Sequence, residues 1–273
     1  MLMFVDTHCH IQSAGLVEGE RTTRELWAKA PDLQPDTIVQ NAAEAGVDTL
    51  VCVGCDLDDS RLAVDFVKTR EKCVASIGIH PHEAQHHLSD ETKQAFRQLS
   101  QGGPISKIVA IGECGLDYYY EHSPREAQEE VLRFQIELAL EHDLPLIFHV
   151  REAFDDFWPI FDSYKGIRGV LHSFTDNIEN LQAGLERGLY VGVNGIVTFS
   201  KDEQMRVMYR TIPLDRLLLE TDSPFLTPTP YRGTINEPKH TRLVAEFLGG
   251  LRDENLAKIA EATTKNAEAL FRL

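Results

Sequence analysis

The sequence predicts an α/β protein of the (β/α)8 TIM-barrel class, a single domain over residues 1–273. Two observations carry this. Short β-branched and apolar runs alternate eight times with longer amphipathic stretches, over the roughly 250 residues such a barrel needs. Ionisable residues also recur at the C-terminal ends of those runs, where barrels of this class assemble their sites. A doubly wound open sheet is the nearest alternative, but no Gly-rich phosphate loop follows the first run.

Taken in order, strands are expected over 2–10, 47–55, 74–82, 108–117, 145–151, 169–174, 190–195 and 217–224. Their apolar runs, such as 50–53 and 144–148, have strand length and fall far short of a membrane span. Between them the helical period predicts helices over 36–45, 60–70, 90–99, 124–142, 153–164, 177–187 and 202–211. Two more, 239–247 and 255–271, follow. In the 124–142 helix Val131, Phe134, Ile136, Leu138 and Ala139 form the face expected to pack on the barrel. Leu256, Ile259, Ala260, Ala267, Leu270 and Phe271 do the same in the last helix. The 12–36 stretch is long for a βα connection, carries Pro31 and Pro35, and is expected to lie over the barrel mouth.

Forty-three acidic against 27 basic side chains give a net charge of −16, which disfavours non-specific binding to duplex nucleic acid. A nucleic-acid substrate then requires bound cations that make the pocket locally positive. Five cysteines without framework spacing read as reduced thiols. Residues 1–5 lack a basic leader and run into Asp6, so a cytoplasmic location is expected, with no membrane partner and a monomer as the default state.

Strands of a parallel barrel should be nearly free of ionisable groups, because each buried one costs several kcal/mol unless paired or coordinated. Here the first strand carries His8 and His10, the third His80, the fourth Glu113, the fifth His149, the sixth His172 and the eighth Asp222. Side chains two apart share a strand face, so His8 and His10 should point inward and Cys9 outward. A His-x-His pair alone is a weak signal. Carboxylates on strands four and eight change the reading to a metal ring that suits Zn²⁺, Mn²⁺ or Mg²⁺. Six ligands exceed the needs of one ion with an open position and suffice for two, a carboxylate bridging. Asp222 is then the candidate acceptor for a proton from metal-bound water.

Other residues are read more plainly. His80 is a candidate phosphate contact or a structural residue beside Pro81, Arg151 a candidate phosphate contact or a loop brace, and His82 a loop residue. Glu220, one layer below Asp222, should orient a ligand histidine or a layer-filling arginine rather than bind metal. Asp117 either holds substrate or braces a loop. Cys52 and Cys55 imitate a redox pair but face opposite sides of a strand, so they are taken as core thiols, as is Cys114. Tyr118, Tyr119 and Tyr120 offer a base-stacking platform or, more simply, a half-buried loop.

Several segments together resemble one known family. They are Phe4-Val-Asp-Thr-His-Cys-His10, Gly78-Ile-His-Pro-His82, Gly112-Glu-Cys-Gly-Leu-Asp117, Pro145-Leu-Ile-Phe-His149-Val-Arg151, His172-Ser-Phe174 and Leu219-Glu-Thr-Asp222-Ser-Pro224, with Asn236-Glu-Pro238 following. In this order they resemble the TatD-type metal-dependent hydrolases of the amidohydrolase-like TIM barrels, over nearly the whole chain. The resemblance implies that His8, His10 and Asp222 hold a first metal, Glu113 bridges, and His149 and His172 complete a second site. It further implies a deoxyribonuclease, acting as a 3′–5′ exonuclease on single-stranded DNA. Two features depart from the family: Gln12 stands where an acidic residue is usual, and the 12–36 stretch is longer. Both are expected over the pocket. Hydrolysis of a small ester, amide or phosphotriester is the alternative chemistry, and a non-catalytic metal-containing partner protein or a nucleic-acid-binding module the alternatives of another class.

Overall fold

The computed structural model describes residues 2–16, 22–101, 107–120 and 122–273. Among these, eight parallel strands pair in sequence order. They are β1 (Phe4–Cys9), β2 (Val47–Val53), β3 (Cys73–Ile77), β4 (Ile108–Asp117), β5 (Leu146–Arg151), β6 (Gly169–Leu171), β7 (Tyr190–Val193) and β8 (Leu217–Leu219). The barrel closes where Cys9 bridges Ser223 in parallel and the amide of Asp222 donates to the His8 carbonyl at 2.9 Å.

Eleven α-helices lie among the described residues: α1 (Thr22–Trp27), α2 (Pro35–Glu44), α3 (Leu57–Lys68), α4 (Asp90–Ser100), α5 (Arg125–Glu141), α6 (Phe154–Asp162), α7 (Ile178–Glu186), α8 (Ile196–Phe199), α9 (Glu203–Thr211), α10 (Thr241–Arg252) and α11 (Leu256–Phe271). Caps set several starts: the side chains of Asp56, Ser89, Asn177 and Asn255 each accept a backbone N–H of the first turn. Helices α1 and α8 were not expected. Each spans under two turns, too short for a 3.6-residue period to emerge. No helix of the described residues is long and apolar enough to cross a membrane.

Inside the barrel, Val5, Val51, Ala110, Ile147, Val170 and Leu218 pack with Ala267, Leu270 and Phe271 of α11, sealing the N-terminal end. Outward-facing strand residues such as Cys52, Ile77, Phe148 and Val191 meet the helices. The polar residues lie above the apolar layer, at the opposite end.

Strands β3, β6 and β8 end earlier than the sequence pattern suggests. His80 lies three residues past β3, His172 one past β6 and Asp222 three past β8. Beyond these points backbone groups find other partners: Ile79 N–H donates to Gln135 Oε1 at 2.7 Å and His80 N–H to the Cys55 carbonyl at 2.8 Å. Pro81 then opens a 3₁₀ turn, Pro81–His86, where a strand was expected to continue.

Candidate active site

Strand parity carries His149, His172 and Asp222 inward from Ile147, Val170 and Leu218, whereas His8 and Glu113, three residues past Val5 and Ala110, come to the site where the strand register shifts, between Asp6 and Cys9 and between Ile111 and Cys114. His8 leaves β1 inward, and the β4–β5 pairing aligns Gly115 with His149 two positions past Glu113. A Cβ on Gly115, whose φ is +150°, would collide with the His149 carbonyl. Only glycine lets these two site-bearing strands approach so closely. Asp222 and Ser173 adopt positive φ of 58° and 48°, a left-handed backbone costly for non-glycine residues. Both turn the chain sharply at the barrel mouth. Asp6 holds the Asp222 turn: its carboxylate accepts the Thr221 N–H at 2.9 Å, the Thr221 hydroxyl at 2.6 Å and the His8 N–H at 3.3 Å. Asn236 braces the same turn, donating from Nδ2 to the Thr221 and Phe225 carbonyls.

The six side chains form two groups that share Glu113. In the first, His8 Nε2 lies 3.2 Å from His10 Nε2, 3.4 Å from Glu113 Oε2 and 3.7 Å from Asp222 Oδ1. His10 Nε2 is 3.4 Å from that same Asp222 oxygen. In the second, Glu113 Oε1 is 2.9 Å from His149 Nδ1, 3.7 Å from His172 Nε2 and 3.5 Å from His80 Nε2. The two oxygens of one carboxylate therefore serve different imidazole sets.

The outer partners fix which nitrogens carry lone pairs. His10 Nδ1–H donates to the Val53 carbonyl at 2.9 Å, leaving Nε2 of the neutral ring as an acceptor facing the cluster. His172 Nδ1 lies 3.1 Å from Glu220 Oε2 without forming a hydrogen bond, and its Nε2 faces Glu113. His80 differs. Its Nδ1 accepts the His82 N–H at 3.2 Å, so its neutral ring points an Nε2–H into the cavity. Imidazole lone pairs and carboxylate oxygens buried against one another, without an intervening lysine or arginine, fit a cation between them. The His8 Nδ1 atom finds no partner among the described residues.

Electrostatics agree with this arrangement. Burial would raise the Glu113 carboxyl, but His80, His8 and His149 outweigh it and hold the group well below the usual range. Burial likewise opposes ionisation of Asp222, and its hydrogen bond with His10 reverses the balance. His149, which burial alone would keep neutral, is raised to about 9 by Asp117 and Glu113. Without a metal it competes for a proton.

The cavity above the cluster has a volume of about 800 Å³ and is lined by His80, His82, Tyr120, Arg151, Cys55 and Thr22, among others. Two expectations need correction here. Gln12 lies behind the site: it is buried, and its Nε2 donates to the Val53 carbonyl that also accepts from His10, and to Asp59. Cys55, expected in the core, reaches the cavity wall with Sγ 3.8 Å from His10 Nδ1, because strand parity lapses past Val53. Burial pushes its thiol up to about 12. Asp117 and Arg151 are the last residues of their strands. Part of the 12–36 stretch does cover the mouth: Thr22 and Thr23 line the cavity, and buried Trp27 donates its indole N–H to the His10 carbonyl at 3.0 Å. Residues 17–21 of that stretch lie outside the described residues.

Sequence reasoning missed Asp6, Trp27, Cys55 and Asn236. Asp6 carried a readable signal, a third ionisable group in the first strand. Asn236 stood in the Asn236-Glu-Pro238 segment without a role, while Trp27, at the end of α1, and Cys55, past the end of β2, act through contacts between segments and offered none.

The profile of the family described as TatD related DNase matches residues 5–272. The chain is 34% identical to the uncharacterized metal-dependent hydrolase YabD of Bacillus subtilis, over 99% of this chain and 100% of that one. It is also 34% identical to the 3′-5′ ssDNA/RNA exonuclease TatD of Citrobacter rodentium, over 86% and 91% respectively. Among solved structures, the TatD homologue YjjV of Escherichia coli K12 superposes with a TM-score of 0.87 at 27% identity, covering all of both chains. With its barrel, its histidine and carboxylate cluster and these matches, the chain belongs to the TatD-related DNase family of metal-dependent hydrolases.

Proposed function

We propose that the protein is a divalent-metal-dependent deoxyribonuclease that removes nucleotides from the 3′ end of single-stranded DNA. One observation carries the reading: the two oxygens of Glu113 face separate imidazole sets, and in each set an outer hydrogen bond, of His10 in one and His149 in the other, leaves a ring lone pair aimed inward. His8, His10 and Asp222 would hold one cation, His149 and His172 the second, and Glu113 would join them. Bound there, two cations supply an acidified water and polarise a phosphoryl oxygen.

The protein's own groups do the rest. Asp222, ionised and at the cavity edge, accepts the proton of the attacking water at its carboxylate. His80 presents its Nε2–H to a non-bridging phosphate oxygen, and Arg151 presents a guanidinium edge to the neighbouring phosphate. Asp117 keeps the His149 ring oriented through a 3.0 Å contact at Nε2. The five free thiols suit a reducing, cytoplasmic location.

The test is digestion of end-labelled single-stranded DNA, duplex DNA and RNA side by side, with Mn²⁺, Mg²⁺ or Zn²⁺ added to metal-stripped protein. Stepwise shortening from the 3′ end of the single-stranded DNA is expected. Hydrolysis of small esters or phosphotriesters with all three polymers intact would contradict the nuclease reading.

A further inference from the structure

The cavity mouth carries aromatic groups that the metal cluster does not use. Asp117, fully buried at the end of β4, accepts the N–H of Tyr119 at 3.0 Å and of Tyr120 at 3.1 Å through Oδ1. Its Oδ2 lies 2.9 Å from His82 Nε2 and 3.0 Å from His149 Nε2. One carboxylate thus fixes both the turn that displays the tyrosines and an imidazole that touches Glu113.

On that turn the Tyr120 and His122 rings lie nearly parallel, 13° apart with centroids at 5.7 Å, and His82 packs edge-on against both. The Arg151 guanidinium lies 4.0 Å from the Tyr119 centroid and 4.7 Å from that of Tyr120. Tyr120, His122, His82 and Arg151 all line the cavity. Tyr118 marks the contrast, being buried beneath the Arg125 guanidinium at 4.0 Å, an ordinary packing role. Tyr120 stays 49% exposed, so packing within the chain does not use its whole surface. Among the described residues Arg151 forms no ion pair with a carboxylate, unlike Arg70, Arg97 or Arg187.

We propose that Tyr120 and His122 form a stacking platform for the unpaired base at a strand end, with Arg151 holding the phosphate next to the scissile one. The proposal rests on the nuclease reading above and specifies its substrate. Every base has a π face, so stacking captures any terminal nucleotide, whereas a base inside a duplex already stacks on its neighbours. An arginine attracted to aromatic faces and free of any carboxylate keeps N–H donors for a phosphate.

The experiment compares a 3′ single-stranded substrate with the same strand lacking the base of its terminal nucleotide. It uses the Mn²⁺-loaded wild type, Tyr120→Ala, Tyr120→Phe and His122→Ala. For the wild type, kcat/KM should fall about tenfold on the abasic strand, chiefly through KM. Tyr120→Ala should lose a similar factor on the intact strand and cease to discriminate, while Tyr120→Phe keeps the preference and His122→Ala weakens it. Equal wild-type kcat/KM on the two strands, or discrimination persisting in Tyr120→Ala, would overturn the platform while leaving the nuclease reading in place. Failure to cleave either strand would overturn both.

Discussion

Asp222 is given two tasks at one side chain, holding a cation and accepting a proton, and the asparagine variant separates them. Asp222→Asn keeps the size and one coordinating oxygen but loses charge and basicity. Since His8, His10 and Glu113 remain around the same point, metal occupancy should recover at raised Mn²⁺. Catalysis should stay roughly 10²–10⁴-fold low, the contribution of general-base assistance. Measuring kcat against independently determined occupancy checks this, and near wild-type activity at full occupancy would reduce Asp222 to a ligand. At Glu113 the expected effect is on stoichiometry. Glu113→Ala should lower the ions retained after mild dialysis from about two per chain to one or none, read by elemental analysis.

The elements that carry the site are held from outside it. His240, just before α10, lies 2.8 Å from Asn236 Oδ1 through Nδ1, and Asn236 in turn braces the Thr221–Phe225 turn. Burial and then Lys239 lower His240 to about 4, so it is neutral in the fold. An unfolded histidine takes its proton near pH 6.5. Its contribution is therefore fully present above pH 6.5 and is lost as pH falls toward 4, up to about 3 kcal/mol. Thermal melts from pH 7.5 to 4.5 should show His240→Gln losing less stability with acid than the wild type; parallel curves would contradict it. These braces also show where sequence reading stops. Strand positions were legible because the barrel buries both strand faces in apolar runs, and ionisable residues within them stood out. The ends of β3, β6 and β8 were not, since the runs continue while their hydrogen bonds pass to Gln135 and to neighbouring loops. Trp27, from the end of α1, and Cys55 and Asn236, from loops, reach the site through contacts between segments that no local period encodes.

At the scale of the whole molecule, a net charge of −16 must be reconciled with a polyanionic substrate. The acidic surface repels long duplexes, while Arg151 lies at the mouth of a cavity of about 800 Å³ whose imidazoles and carboxylates would hold the cations that make it locally positive. Loss of a 3′ label from a single strand should accordingly be much faster than nicking of closed circular duplex, and equal rates would replace the exonuclease with a general phosphodiesterase. The central claim, that one ring of four histidines and two carboxylates works as a two-cation centre, is tested most directly by titrating metal-stripped protein with Mn²⁺ while following bound metal and cleavage of a 3′-labelled single strand together. Cleavage should be absent at zero metal and rise chiefly as the second equivalent fills. Full activity after the first equivalent, or undiminished activity in the stripped protein, would contradict it.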